Sequence, residues 1–443
     1  MTGLCNCPVL FYSMNRLLLS VFVILFFACQ TKKRIANPED YSGYLQKQFV
    51  NKNLSNIIQD IAFWERRLKE DTSSYVNLSE LASLKLRLFR QTGDINLLIQ
   101  GDSLLQRSSE KLNHKDPELL FALSQISIAR HSFIQSASYN TMADAAKGDI
   151  HTIRLLQFDT WMELGRYEEA YVILEQLKDK SSFDFLIRKA KWEDHQGRLD
   201  EAIVLMEKAL LKVKDRYPEL QEWALSNLGD MYGHAGRLKD AYSAYLKALQ
   251  SNPADFHSLK GIAWILYSAD RNSKEAKRIL HYILSVHTNP EIMLFLADIA
   301  EFEENDAEKR KWLEEFTNKV SNPIYGGMYN KYLIAIYAEE LNDLDKAFLL
   351  AKRETDYRFT PETCDWMAWI KYLKGDYKEA LILVENYVYR RIYEPETLMH
   401  CGIILAANDR KAEGRKLLEE SLQSSFELGP VISTKVRMKL EKL

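Results

Sequence analysis

Residues 222–253 read Glu222-Trp-Ala-Leu-Ser-Asn-Leu-Gly-Asp-Met-Tyr-Gly-His-Ala-Gly-Arg-Leu-Lys-Asp-Ala-Tyr-Ser-Ala-Tyr-Leu-Lys-Ala-Leu-Gln-Ser-Asn-Pro253. Two helices fit this stretch, and they meet at Gly236, which accepts the left-handed backbone that closes a helix. Asp240 then favours the positive end of the second helix, and Pro253 stops it. Large residues (Leu228, Tyr232, Tyr245) fill the space between the paired helices. Small ones (Gly229, Ala241, Ala248) mark the places where the helices cross closely.

The pattern recurs. Gly165-Arg-Tyr-Glu-Glu-Ala170, Gly197-Arg-Leu-Asp-Glu-Ala202 and Gly375-Asp-Tyr-Lys-Glu-Ala380 repeat the Gly236–Ala241 segment, and Asn342-Asp-Leu-Asp-Lys-Ala347 is a close variant. The alanines fall at 170, 202, 241, 276, 347 and 380, steps of 32, 39, 35, 71 and 33, of which the longest spans two units. A period of this length signals stacked supersecondary units.

Residues 222–253 resemble the tetratricopeptide repeat, with Leu228-Gly229, Tyr232, Gly236, Ala241, Tyr245, Ala248 and Pro253 at that family's intervals. Looser copies cover 149–180, 183–216, 256–289, 328–357, 361–393 and 395–428. Weaker units lie at 77–113 and 117–147, and 291–320 reads as helical but degenerate. The resemblance implies an all-α, right-handed α-solenoid of about nine to ten helical hairpins over residues 77–428. Residues 51–76 are expected to close the first repeat, with Leu54, Ile57, Ile58, Ile61, Trp64 and Leu68 on one face. Residues 429–443, with a helix over Val431–Leu443, are expected to cap the last, where Gly414 replaces the crossing alanine.

Composition agrees with a helical array. The 443 residues include only 17 Gly and 10 Pro, roughly 4% and 2% against averages of about 7% and 5%. Apolar residues make up 47%, enough for an extensive core and too many for a disordered chain. Lys plus Arg total 59 and Asp plus Glu 62, a net charge of -3, so no basic excess points to nucleic acid.

The first residues carry an address. Asn15-Arg16 precedes the apolar run Leu17–Phe27, then Ala28-Cys29 and Thr31-Lys-Lys-Arg34. The run is shorter than the ~18–20 residues that span a bilayer and reads as an export signal over 1–28. Cys29 after Ala28 resembles a bacterial lipoprotein processing site, which implies a lipidated thiol and a membrane-anchored protein of the Gram-negative envelope, facing the periplasm or in the outer membrane. Phe26 and Phe27 depart from that motif, so an ordinary cleaved signal and an uncleaved anchor stay open. Met14 is an alternative start. Residues 29–50 read as a polar tether. Beyond Cys29 only Cys364 and Cys401 remain, read as buried free thiols with a bridge as the alternative.

In such arrays the first helix of each hairpin faces the concave side, so its exposed positions form the default ligand surface. Registered on Gly236, the inward set comprises Asp159, Asp194, His195, Trp223, Asp230 and His234, followed by Tyr329, Tyr332, Glu339, Asp365, Trp369 and Tyr372. Acidic residues with aromatics suit an extended segment that carries Lys or Arg and an apolar anchor. Repeat proteins of this family that clamp a C-terminal carboxylate use Lys, Arg and Asn at such positions. Here Leu155, Asp159, Ile187, Asp194, Ser226 and Asp230 stand there, and like charge disfavours that ligand.

No phosphate loop, His-Glu-x-x-His helix, Gly-x-Ser-x-Gly elbow or Cys-x-x-Cys pair occurs. Glu193-Asp194-His195 are consecutive on one helix, so their side chains diverge. No catalysis, cofactor, metal or nucleic acid is expected. The function expected is a membrane-anchored adaptor that binds proteins or peptides on its concave surface. An obligate structural subunit of an envelope complex is the alternative, and a hydrolase with an unrecognised site the remote one.

Overall fold

The computed structural model describes residues 34–443, so the expected export signal and Cys29 lie outside the described residues. From Tyr75 to Gln423 the chain forms ten consecutive helical hairpins, from Tyr75–Thr92 with Ile95–Lys111 to Pro395–Ala407 with Lys411–Gln423. No strand occurs among the described residues. The fold is an α-solenoid.

The repeat chemistry sets each hairpin. Gly165, Gly197, Gly236 and Gly375 adopt φ of 74°, 73°, 70° and 88° between paired helices, and Asn342 adopts 51° in the same role. The crossing alanines Ala170, Ala202, Ala241, Ala276, Ala347 and Ala380 are fully buried. In the tenth hairpin Gly414 lies against the Gly402 backbone, and even one methyl there would overlap that carbonyl. Residues 291–320, read as degenerate, form the regular seventh hairpin, Glu291–Phe302 with Asp306–Val320, whose second helix is capped by the Asn305 side chain.

Successive turns of the solenoid touch. The Thr288 N–H donates to the Thr92 carbonyl at 2.8 Å, and the Thr288 hydroxyl donates to the same atom, 196 residues away. Gly165 abuts Phe359 and Thr360, Gly197 abuts the Tyr393 ring, and Gly233 abuts the Phe426 ring. These pairs are all about 195 residues apart, so five hairpins complete one turn and the sixth begins stacking on the first. A small rotation per hairpin, repeated, produces this closure.

Both ends differ from the expectation. Residues 34–50 were expected as a polar tether, yet the Ile35 and Ala36 N–H groups donate to the Asp270 carboxylate at 2.9 and 3.0 Å. The Asn37 N–H donates to the Tyr242 hydroxyl oxygen at 3.0 Å, and Tyr41 is fully buried with its hydroxyl donating to Glu275 at 3.2 Å. The cause is apolar content within the polar stretch: Ile35, Ala36, Tyr41, Tyr44 and Leu45 join the core of the fifth to seventh hairpins. The following helix starts earlier than expected, at Lys47, and ends at Glu70. It buries Ile57 and Ile61 against the first hairpin but leaves Ile58 53% exposed, because that position has rotated off the packed face.

The final helix spans Ser425–Glu441 and breaks at Gly429, where φ 73° and ψ 173° redirect the chain before Pro430. It caps the tenth hairpin through Met399, Ile403, Leu418 and Val436. It also does more than cap. Trp264 Nε1 and Ser268 Oγ both donate to the Phe426 carbonyl, at 3.0 and 2.7 Å, and Lys435 pairs with Glu301 at 2.8 Å. A π-helical turn over Ile265–Ala269 at the end of the sixth hairpin's first helix presents Ser268 for this bond. The chain's own end therefore occupies the concave face of hairpins five to seven.

Candidate functional site: an acidic chamber between two turns

The first helices of hairpins three to five belong to one turn and those of hairpins eight to ten to the next. Between them lies a chamber of about 750 Å³, closed on a third side by Ser424, Glu427, Leu428 and Ile432 of the C-terminal segment. Asp194, His195, His234, Tyr332, Glu339, Asp365 and Trp369 from the inward set all line it. The others of that set do not.

Those left out are engaged elsewhere. Asp159 accepts from Arg188 Nη2 at 2.6 Å. Asp230 accepts from the Tyr245 hydroxyl at 2.7 Å and pairs with His257 Nε2 at 2.6 Å; burial pushes its carboxyl up, but these two partners outweigh burial and hold it below its ordinary value. Trp223 is 41% exposed, edge-on to Phe183 outside the chamber. Tyr329 was expected to be exposed but packs among Tyr325, Phe316 and Tyr332, because it begins a short helix inside the core. Tyr372 stacks on Trp369 with ring centres 5.0 Å apart, behind the chamber wall.

Asp365 was also expected to be exposed and is 3% exposed, because hairpin ten covers it. Its Oδ2 meets His400 Nδ1 at 2.9 Å and accepts from the Thr397 hydroxyl at 3.2 Å. Burial alone would depress the His400 imidazole, but Asp365 beside it lifts the pKa to about 9, so the imidazole is protonated at neutral pH. Trp369 lies flat on His400, ring centres 4.1 Å apart and 14° between planes, and its Nε1 donates to Glu339 at 2.8 Å. Asp365 Oδ1 and His400 Nε2 have no hydrogen-bond partner.

The opposite wall is set by hairpins three and four. Burial pushes Glu163 up, but Lys191 at 2.8 Å outweighs it and holds the carboxyl below its usual value. His195 packs against Tyr167 with ring centres 4.1 Å apart and the planes tilted by 32°, and burial lowers its pKa. Asp194 keeps contact with solvent while burial, and then Glu394, raise its carboxyl. Glu427 from the C-terminal segment is pushed up to about 7 by burial and by Glu394 and Asp194, against the pull of His234 3.8 Å away. The sequence neighbours Glu193, Asp194 and His195 diverge as expected, with Glu193 paired to Lys189 and Arg198.

Sequence reasoning missed Glu394, Glu396, His400 and Glu427. The first lies in the turn before the tenth hairpin and the last beyond the array, where a register built on first helices has no position for them. Glu396 and His400 do sit on a first helix, and extending the Gly236 register into the tenth hairpin would have found them.

Cys364 and Cys401 are buried, unpaired thiols in one core cluster of hairpins nine and ten. Burial raises both, Cys364 to about 11, so neither is a thiolate at neutral pH. A thiol reagent such as DTNB is expected to leave both unmodified in the native protein and to label both in denaturant. Rapid native labelling of either would contradict the packing. Among the described residues no helix is long and apolar enough to cross a membrane, and no three His, Cys, Asp or Glu residues are grouped as for a metal ion.

No protein-family model matches the chain, and neither does any curated protein. Among solved structures it is similar to a thermophilic TPR protein of Thermus thermophilus, at 19% identity and a TM-score of 0.37 over 44% of this chain and 99% of that one. It is similar to PilF of Pseudomonas aeruginosa at 15% identity and 0.35, over 47% and 94%. A tetratricopeptide repeat protein of Parabacteroides merdae gives 14% and 0.34, over 58% and 97%. At such scores none of these likenesses bears on what this chain binds.

Proposed function

We propose that this chain is a non-catalytic adaptor, held at a membrane of the bacterial envelope by lipid on Cys29, that binds proteins or peptides on its inward surface. One observation carries the binding part: two turns of hairpins enclose a chamber whose walls alternate carboxylates with aromatic rings. Chambers of this size, with a few convergent polar groups, are where proteins take ligands.

The anchoring part rests on the Ala28-Cys29 sequence after an apolar run. Ile35 is already docked on Asp270, so five residues, at most about 22 Å of chain, separate the lipid attachment from the folded array. The outer face of hairpins five and six would thus be held close to the bilayer.

Replacing Cys29 with serine is expected to shift the protein from the membrane to the soluble envelope fraction; unchanged membrane association would refute the lipid anchor. Crosslinking in native envelopes, followed by mass spectrometry, is expected to recover a protein partner in sub-stoichiometric amounts. A partner that always co-purifies in fixed ratio would instead indicate an obligate structural subunit.

A further inference from the structure

Building on the adaptor reading, we propose that the chamber binds a short extended protein segment carrying Lys or Arg, its cationic side chain held between Asp194 and Glu394 and its backbone turned toward Asp365 and His400.

The charge balance of the walls sets the sign of the ligand. Glu163 is matched by Lys191 and Glu362 by Arg358 and Lys331, and His234 lies 3.8 Å from Glu427, whereas Asp194, Glu339, Glu394 and Glu396 have no Lys or Arg partner among the described residues. Asp194 and Glu394 are exposed at the rim, and they approach from different turns of the solenoid. A cation seated there neutralises like charges that the fold has forced together. Tyr167, Tyr332 and Tyr393 line the same space, and aromatic rings attract an ammonium or guanidinium.

The back wall narrows the class further. Asp365 and His400 are 3% and 5% exposed, both line the chamber, and each has one polar atom without a partner. Asp365 Oδ1 is an acceptor; His400 Nε2 of the imidazolium is a donor. Unpartnered polar atoms at such burial are uncommon and call for a ligand that supplies both complements. A peptide does so, with N–H and C=O groups beside its basic side chain. A polyamine has donors only, and a nucleic acid brings the wrong charge. The volume of about 750 Å³ accommodates a few residues and not a folded domain.

The test uses the full chain immobilised through its C-terminus and two pools of five-residue, end-capped peptides: one with Lys or Arg at positions two and four, one with Glu at both, the remaining positions randomised. Spermidine serves as the polyamine probe. The basic pool is expected to be retained saturably at low salt, with retention falling as salt rises, while the acidic pool and spermidine are not. Combining Asp194→Asn with Glu394→Gln, both at exposed positions and so without cost to folding, is expected to weaken a retained basic peptide by at least about tenfold. Equal retention of the acidic pool, binding of spermidine as tight as that of the peptides, or no effect of the double substitution would overturn the proposal. If the double variant still captures the partner recovered from envelopes, the chamber assignment fails while the adaptor reading stands. If the unaltered chain captures no partner, the adaptor reading falls and this inference with it.

Discussion

Substituting Tyr245 with alanine is expected to destabilise the fifth and sixth hairpins by about 3–5 kcal/mol, the range for emptying a buried aromatic site. The ring is 5% exposed and wedges between Gly229 and Gly261, where a methyl at either glycine would overlap it. Gly229 lies on the partner helix of its own hairpin and Gly261 on the first helix of the next, so one side chain joins two repeats. Its hydroxyl donates to Asp230, which in turn meets His257. Tyr245→Phe keeps the wedge and loses that bond, so a smaller cost of about 1–3 kcal/mol is expected. Because the array responds locally, hydrogen exchange should rise first over residues 218–269. Equal exchange in both variants would show that the bond, and not the wedge, matters.

The second large effect concerns the Asp365–His400 pair. The His400 pKa rises from 6.5 to about 9 on folding, so its stabilisation is fully present below pH 6.5 and is lost as pH climbs through 9. The loss is at most about 3 kcal/mol over that window. Glu427 has the same sign at lower pH: its folded value of about 7 lies above the ordinary 4.5, so its contribution is fully present below 4.5 and is lost as pH climbs through 7. The two windows scarcely overlap. Urea denaturation of the unaltered chain at pH 7.5, above the Glu427 window, and at pH 9.5 should therefore differ by an amount that largely vanishes in His400→Gln. Asp365→Asn, which strands the buried imidazolium, should cost about 3–5 kcal/mol at pH 6. An unchanged midpoint between the two pH values would remove the buried ion pair from the account.

The hairpin was plain in the sequence because its determinants are local. Glycine or asparagine at the turn, an acidic residue at the next helix start and an alanine at the crossing are each fixed by contacts within some forty residues. Closure of the solenoid was not, since it sums small rotations over five hairpins and depends on pairs such as Gly197 and Tyr393 that no short motif records. For the same reason the inward register found Asp194, His234, Tyr332 and Trp369 but misjudged Asp159 and Asp230, whose partners Arg188 and His257 sit on neighbouring hairpins. The terminal segments were misread on composition. A stretch that is polar on average still buries Tyr41, and a cap expected at one end reaches Trp264 through the Phe426 carbonyl before the chain turns at Gly429.

The chamber exists only if consecutive turns of the solenoid stack. The most direct test replaces Tyr393, 46% exposed and packed over Gly197, with the photoreactive p-benzoylphenylalanine, and maps the crosslinked peptides after irradiation of the monomeric protein. Crosslinks to the peptide containing Gly197 are predicted. Crosslinks confined to hairpins nine and ten would mean an open spring whose turns do not touch, and the chamber would not form.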